Sequence, residues 1–503
     1  MRHLFKSFLA ISMLLTPAIV ADCGSSCSTS SCSTSCSTSC ETSCSTGCST
    51  SCSTSNCVTC GVSSAFVPRS QGADTARELV GWQDWIHRYQ EGNYKTVALA
   101  FQYEHSFKPC QIANNLFGTS TLNFVGSGVA GRTNTGTAGA CSLVADYFGL
   151  PTSTNASIVL NPTIQNYIFD VEGFWGFETC GIDGLYFRAH MPIVWTQWSL
   201  FGKANRCCAT NVTAGIAEYN QPFTNGYMSS QSLVTGATTP VANPVTYAHP
   251  NTSIQEALSG KKFGYMTEDW KFGKFSFCQL SKFGVADIDL ILGYDFWNAP
   301  CGHFGLYIQG VLATGRKQYG EYIFEPMVGD RHFKLGGGLS THYDLWECDN
   351  HKLAVWLEGN VVHLFNNCYN RSFDFNLTTS SCNALSRYML LKEFNYDGTA
   401  QGGMINAINF TTRRTKINVA VEGDASLKFA YKYCNWTFDL GYNVYGKTAE
   451  KGCIIASPCT YNVDGRVFGI KGTSDLYIAV DFVVDASTQS NATMCNAAVT
   501  SDA

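Results

Sequence analysis

Four residues in the second half of this sequence are of types that bind metal ions. Asp287, Asp289 and Asp295 are separated by even numbers of residues, and His303 follows a few positions later. Residues two apart on a β-strand share a face, so these side chains could converge on a cation. The same pattern is typical of polar residues that line the wet interior of a β-barrel. We favour the second interpretation, in which no metal is bound.

A glycine-rich segment, residues 126–131, resembles a dinucleotide-binding fingerprint. It follows the apolar run 122–125, and Asp146 lies 20 residues after Gly126. The fingerprint requires a helix directly after the glycines, whereas residues 132–139 have the Thr, Asn and Gly content of a loop. The sequence also has no G-x-S-x-G nucleophile motif and no H-E-x-x-H zinc motif. We therefore expect neither a cofactor nor an enzymatic activity.

Cysteines are concentrated in a low-complexity leader, residues 22–74, in which ten lie between Cys23 and Cys60. With few apolar side chains, most of the leader should stay disordered unless it is cross-linked. Zinc sites combine two close pairs of ligands. The cysteines of the leader are evenly spaced instead, in a pattern that we call the cysteine ladder. Disulfide cross-linking is therefore favoured over metal binding. A plain linker remains an alternative. The cysteines in register are Cys32, Cys36, Cys40, Cys44, Cys48 and Cys52.

The first 21 residues have the pattern of an export signal. Arg2 and Lys6 precede a short apolar core at 8–15, and small residues lead to a cleavage point after Ala21. No later stretch of about 18 apolar residues could form a spanning helix. If the mature chain crosses a membrane, it must do so as a closed barrel, because only helices and closed barrels satisfy every backbone polar group in lipid.

A short helix is predicted at residues 75–92. Thr75 and Glu78 form a capping box, and Gly92 can end the helix. The helix is expected either to lie at a membrane interface, to plug a barrel, or simply to pack against the sheet. Its apolar stripe consists of Leu79, Trp82, Ile86 and Tyr89.

From residue 93 to 485 the apolar residues recur with a period of two, which predicts antiparallel strands and hairpins. The runs are longer than the 5–6 residues usual in soluble sheets and suit membrane strands of about 9–11 residues. The last strand is predicted at 475–484, before a loop-like tail at 486–503. Short turns alternate with long connections, as in outer-membrane barrels. The long connections are 203–285, 366–412 and 446–473.

Composition favours a lipid-facing sheet over a soluble one. Charged residues make up only 14% of the 503 residues and aromatic residues 13%, and rings are frequent beside the short turns. A net charge of −5 gives no basic surface for nucleic acid. The alternative is a soluble β-sandwich or a lipocalin-like barrel, which alternates in the same way.

Two further sets of residues are predicted from the alternation. The polar faces carry both charge signs, which favours a weakly selective aqueous pore. The predicted lumen-lining residues are Asp287, Asp289, Asp295, His303, Lys334, His342, Glu358, Lys416, Glu422, Asp424 and Lys428. The short turns hold cysteines that could cross-link the rim, namely Cys180, Cys301, Cys348 and Cys434.

Taken together, these features resemble bacterial outer-membrane porins, and in style the cysteine-rich major outer-membrane proteins of chlamydia-like intracellular bacteria. The resemblance covers residues 93–485 in architecture only and matches no diagnostic motif residue by residue. It implies an all-β fold, an antiparallel transmembrane barrel of about 10–14 strands. The chain ends at Thr500–Ala503 without the terminal aromatic strand of such barrels. Either the closing strands are missing, or insertion is unusual.

The expected function is a passive channel for small polar solutes in a bacterial outer membrane. The alternative is a structural or adhesive surface protein, anchored by the barrel and cross-linked through disulfides to other envelope proteins. The expected partners are the lipid bilayer and those envelope proteins, with no nucleic acid, and the sequence leaves a homo-oligomer open.

Overall fold

A computed structural model describes 12 stretches of the chain, and every statement about structure below refers to them. They are 65–72, 74–126, 142–150, 154–179, 182–202, 213–215, 251, 253–263, 266–375, 385–395, 400–455 and 466–470. The predicted signal, the cysteine ladder, Cys180, the strand at 475–484 and the tail lie outside them. The fold is mostly β, as predicted, and its largest element is a curled antiparallel sheet.

The main path of this sheet contains nine strands, each antiparallel to its neighbours. Two shorter strands extend it, β8 (Leu280–Val285) beside β6 and β17 (Lys451–Ile454) beside β15. The nine strands, in sheet order, are β1 (Tyr94–His105), β5 (Thr163–Thr179), β6 (Ile182–Ser199), β9 (Ile288–Ala299), β10 (Gly302–Leu312), β11 (Lys334–Cys348), β12 (His351–Ser372), β15 (Thr412–Tyr433) and β16 (Trp436–Lys447).

Side chains alternate across this sheet with the apolar face outward. On β1, Val97, Leu99 and Phe101 are exposed, while their neighbours are half-buried. On β6 and β12, the charged residues Arg188 and Glu358 are buried on the concave side. The sheet therefore has an apolar convex surface and a polar interior, the reverse of a soluble sandwich.

Tight turns join the strands at one end of the sheet. Two residues separate β11 from β12 and two separate β15 from β16. Asp349 and Cys434, the first residues of these turns, have positive φ values of 50° and 51°, as the primed hairpin turns require at this position. The turns lie side by side, because the Cys434 amide donates to the Asn350 carbonyl at 3.0 Å.

At the other end, the segments between the main strands fold together around a second core. Some of its elements lie in the predicted long connections 203–285, 366–412 and 446–473, and the others lie between β1 and β5. Trp198, Phe148, Trp270 and Tyr388 are buried in it. The helices and strands that build it are α3 (Pro109–Phe117), α4 (Ile254–Leu258), α5 (Ala407–Thr411), β2 (Thr121–Val125), β3 (Leu143–Val144), β4 (Asn155–Val159), β7 (Thr213–Gly215), β13 (Leu390–Asn395), β14 (Ala400–Asn406) and β18 (Arg466–Ile470).

The helix predicted at 75–92 is two short helices, α1 (Thr75–Gly81) and α2 (Gln83–Ile86), with the break at Trp82. The predicted capping box is wrong. Asp74 is the N-cap residue, and its carboxylate accepts hydrogen bonds from the amides of Ala76 and Arg77. In the described residues, no helix is long and apolar enough to cross a membrane.

Of the predicted stripe on this helix, three of the four residues are buried. Leu79 packs beside Ala354 and Trp356 on the concave side of the sheet. Trp82 and Ile86 are buried in a neighbouring cluster, whereas Tyr89 lies beyond the helices and is exposed. The helices thus pack inside the curled sheet.

Candidate functional site

The concave side of the sheet contains a chain segment from its own N-terminal region. We call residues 69–72 and 74–87 the inner segment; it includes α1 and α2. It touches distant strands, since Arg69 donates to Asp424 on β15 at 2.6 Å and His87 pairs with Asp295 on β9 at 2.9 Å. Most of the polar residues predicted to line a lumen face this segment.

Arg188 on β6 is the centre of a charge cluster in the described interior. Its guanidinium lies 3.3 Å from Glu78, 3.5 Å from Glu172 and 3.0 Å from Glu358. It also donates to the Gln83 side chain at 3.0 Å. All five side chains are buried. One cation therefore joins two strands, β5 and β12, to both helices of the inner segment.

Burial shifts the titration of the inner segment. Burial raises the pKa of Glu78 to about 8. Arg188 opposes this shift, whereas the neighbouring carboxylates add to it by disfavouring the ionised form. Burial and then Arg188 lower the pKa of His87 to about 3. At neutral pH both groups are therefore largely uncharged, and the neutral imidazole can donate from Nε2 to Asp295.

Two further ion pairs fix the inner segment along the sheet. Arg77 lies 3.0 Å from Asp170 on β5, and the other oxygen of that carboxylate is 2.7 Å from His190 on β6. Lys428 on β15 donates to both oxygens of Asp84 at 2.8 Å. Arg77 and Asp170 are both buried, so truncating either of them should cost roughly 3–5 kcal/mol, because the other charge stays buried. Asp84 is partly exposed, so the Lys428 pair should contribute less.

A second charged cluster lies near the start of β9 and β11. Lys334 is 2.8 Å from Asp330 and 2.7 Å from Glu422. Asp287 accepts hydrogen bonds from the backbone amides of Gly315 at 3.2 Å and Asp330 at 2.7 Å. The Asp287 carboxylate is therefore used to hold loop backbone in place.

The four residues considered as metal ligands do not converge. Asp287 binds backbone amides, Asp289 accepts from Gln309 at 2.8 Å, and Asp295 pairs with His87. His303 contacts Ser340 at 3.1 Å instead of a carboxylate. In the described residues no group of three or more His, Cys, Asp or Glu could hold a metal ion.

Of the predicted lumen-lining residues, Lys416 is wrong. Its side chain is exposed, whereas Ile417 and Val419 beside it are buried. The β12–β15 register shifts on either side of Leu364, and these bulges exchange the two faces of β15. The buried residues of the set are Asp287, Asp289, Asp295, His303, Lys334, Glu358, Asp424 and Lys428, and His342 and Glu422 are half-buried.

The predicted set omitted the residues that organise the interior. Asp170 and Glu172 lie two apart on β5, and Arg188 and His190 lie two apart on β6. The register places His190 opposite Glu172. Charged residues spaced two apart within apolar strands indicate a polar face. Aligning the two strands of this hairpin would have placed these charges opposite one another and predicted the cluster.

Two small cavities remain in the polar interior. One of about 20 Å³ lies between the inner segment and the sheet and is lined by charges of both signs, including Arg69, Asp287, Lys334 and Glu422. Another of about 10 Å³ lies beside Asp330 and Arg371. The first has room for about one water molecule, so the inner segment leaves no open passage beside it. Neither a known protein family nor a curated protein matches the chain.

Replacing Arg188 should release the inner segment. In Arg188→Met, the carboxylates of Glu172 and Glu358 and the carboxyl group of Glu78 lose the cation that they share, which we expect to cost about 3 kcal/mol or more. Tryptic cleavage after Arg77 and hydrogen exchange in α1 and α2 measure the release, and both should increase.

The control for this variant is Lys261→Met. Lys261 pairs with Glu256 at 2.8 Å, but its side chain is 64% exposed, so its loss should change little. Equal protection of the inner segment in both variants would contradict the central role of Arg188.

Proposed function

We propose that the protein is a porin-like β-barrel of a bacterial outer membrane, which admits small polar solutes when the inner segment is displaced. The observation that carries the proposal is the direction of the side chains on the main sheet. Apolar side chains cover its convex surface, and buried charges fill its concave side. A barrel in lipid needs an apolar outside, whereas a water-filled passage needs a polar inside.

Aromatic rings at both ends of the convex surface support the membrane part of the proposal. Beside the tight turns, Phe296, Phe304 and Phe438 are exposed. Near the opposite end, Tyr103 and Trp195 are exposed. Two such bands are typical of a sheet whose middle lies in hydrocarbon and whose ends lie at the interfaces.

The interior supports a weakly selective passage. Cations such as Arg188, Lys334 and Lys428 alternate with carboxylates along the concave side, so neither charge sign dominates. The inner segment occupies this space and ties up these charges. Passage therefore requires the segment to move, and the resting protein should be closed.

A second candidate function is a cross-linked structural protein of the envelope. Three exposed, free thiols lie at tight turns at one end of the sheet. They are Cys301, Cys348 and Cys434. Exposed thiols in an oxidising compartment can form disulfides with neighbouring chains.

Lipid contact is tested by Leu99→Lys in the middle of β1, where the side chain is 63% exposed. A lysine at the centre of a bilayer costs about 2–4 kcal/mol in a membrane barrel. We expect the variant to be less stable to denaturant in phospholipid vesicles. In Phe107→Lys, the control, a residue that is 90% exposed lies just beyond the end of β1, so stability should hold. Wild-type protein that stays in the aqueous phase on vesicle flotation would refute the membrane assignment.

Channel opening should depend on Glu78. The closed state keeps the pKa of Glu78 at about 8, whereas a hydrated Glu78 would return to its ordinary value near 4.5. Closing therefore takes up a proton on Glu78 between about pH 4.5 and 8. It also releases one from His87 below about pH 6.5, because a hydrated His87 would return to its ordinary pKa of 6.5, and the two effects oppose each other there. Raising the pH from about 6.5 to 8 therefore weakens the closed state, by at most about tenfold per pH unit. Single-channel recordings in planar bilayers should show more openings across this range.

The matched variant Glu78→Gln removes the titrating proton and keeps the shape of the side chain. Its openings should be much less sensitive to pH over the same range. A conductance with the same pH dependence in both proteins would exclude Glu78 as the group responsible. A complete lack of conductance in both would favour the structural function instead.

The structural candidate predicts disulfide-linked oligomers. After thiol blocking, envelope fractions on non-reducing gels should contain oligomers that disappear with reductant. Replacing Cys301, Cys348 and Cys434 together by Ser should reduce them severalfold, whereas Cys453→Ser, a control at an exposed thiol in β17, should not. Monomers alone without reductant would argue against this function.

A further inference from the structure

Several cations lie together on the convex surface of the main sheet, near the end opposite the tight turns. Arg414 and Lys416 are exposed close to the start of β15, whereas Ile417 is buried on the other face. Lys451 on β17 is also exposed, and the register places it opposite Asn418, two residues after Lys416. Lys416, which was predicted to line the lumen, therefore belongs to an outward-facing group of cations.

Two more cations reach this group from the connection between β10 and β11. The Lys317 ammonium donates to the Cys368 carbonyl at 2.7 Å, and the register pairs Cys368 with Lys416. The Asn367 side chain donates to the Arg331 carbonyl, which holds Arg331 beside β12. Cations from two parts of the chain thus meet near Cys368. We call the following residues the basic patch: Lys317, Arg331, Arg414 and Lys416.

The charges of the basic patch repel one another. Burial lowers the pKa of the Lys317 ammonium, and the positive charges of Arg331 and Arg414 lower it further. These three side chains are therefore close enough to interact electrostatically. An anion bound among them would replace this repulsion by attraction.

Carboxylates that lie near the basic patch in the sequence are held by other cations. Their ion pairs are Glu325 with Lys282, Asp330 with Lys334, and Glu450 with Arg371. Each of these pairs would have to break before its carboxylate could serve the patch. The basic patch is thus better matched by an anion from outside the chain.

The location of the basic patch favours a lipid headgroup as that anion. Phe333, two residues after Arg331, and Phe365, three residues before Cys368, are exposed, and their rings lie 5.4 Å apart. Val421 on β15 is exposed as well. Toward this end of the convex surface, apolar side chains thus give way to cations. In a membrane such a boundary lies at the headgroups, where Lys and Arg attract anionic lipids.

The side chains of the patch suit a phosphate group. A guanidinium such as that of Arg331 or Arg414 can donate two parallel hydrogen bonds to phosphate oxygens, whereas lysine acts as a point charge. A phosphate monoester carries about −1.5 to −2 charges at neutral pH and offers three acceptor oxygens. A choline headgroup would bring its own cation into the patch. The chemistry therefore favours a lipid whose phosphate is not neutralised by its headgroup.

We propose that the basic patch binds the phosphate of an anionic lipid whose chains lie against the apolar convex surface. This inference rests on the proposed membrane function, because the bilayer around the sheet presents the lipid. It adds to that function the class of lipid and the residues that select it. A sulfated glycan is the weaker ligand, since it would use the charges but not the apolar surface at Phe333 and Phe365.

Native mass spectrometry of the full-length protein in a neutral detergent tests the proposal. The protein is titrated at low ionic strength with phosphatidic acid or with phosphatidylcholine of the same chains, and the bound lipids are counted. The variants are Lys416→Gln and Arg414→Gln/Lys416→Gln, both at exposed positions, so that the fold should hold. The matched control is Lys432→Gln, which removes an exposed cation from the other end of β15.

A lysine or arginine near an anionic headgroup contributes about fivefold in affinity. We therefore expect Lys416→Gln to weaken the binding of phosphatidic acid about fivefold and the double variant to weaken it about 25-fold. Lys432→Gln should bind it like the wild type, and the wild type should bind phosphatidylcholine more weakly. Equal binding of phosphatidic acid by the wild type and the double variant would overturn the proposal, as would equal binding of the two lipids by the wild type.

Two soluble competitors identify the source of the anion. Inorganic phosphate and a heparin disaccharide, each at the concentration of phosphatidic acid, should leave the lipid bound, because neither has chains that contact the apolar surface. Displacement by either one would assign the basic patch to a soluble anion and overturn the lipid proposal.

Flotation with vesicles of phosphatidylcholine alone separates this proposal from the membrane function. These vesicles have no anionic headgroup, so the basic patch is not needed for insertion into them. Wild-type protein that floats with them but shows no preference for phosphatidic acid refutes only the lipid site. Protein that does not float refutes the membrane function, and the lipid proposal with it.

Discussion

The interior of this protein depends on Arg188, whose guanidinium holds three buried acidic side chains. Glu172 and Glu358 approach from two strands and Glu78 from the inner segment, and one guanidinium serves all three. A buried guanidinium without partners would be very costly, as would the carboxylates without it. The cluster therefore binds the inner segment to the sheet and also sets which face of β5, β6 and β12 points inward.

The rest of the architecture follows from that choice of face. Once the charged residues of each strand point inward, the alternation sends the intervening apolar residues outward. The convex surface therefore exposes many large apolar side chains, among them Leu99, Phe438 and Leu440, as expected of an interaction surface for lipid or protein. The second core, at the end opposite the tight turns, is a hydrophobic core like that of a soluble domain. Trp198 and Phe148 are buried there among other apolar side chains.

Much of the main sheet could be predicted from the sequence, because most of its strands pair in hairpins with a neighbour close in the chain and keep a two-residue period over long runs. Lys416 was misplaced because a bulge exchanges the faces of β15, and bulges leave no mark on the alternation. The second core was missed because its short elements lack a long period. The break at Trp82 depends on packing against the sheet, which propensity alone does not describe.

The inner segment also explains why a polar interior need not be an open one. In an empty lumen, water would solvate the charged side chains of the sheet. Here the inner segment supplies their partners instead: Arg77 pairs with Asp170, and Asp84 pairs with Lys428. Exchanging these contacts for water costs far less than exposing apolar surface, because charged groups are well hydrated. An interior held by polar contacts can therefore open with the sheet intact, whereas an apolar core of the same size could not.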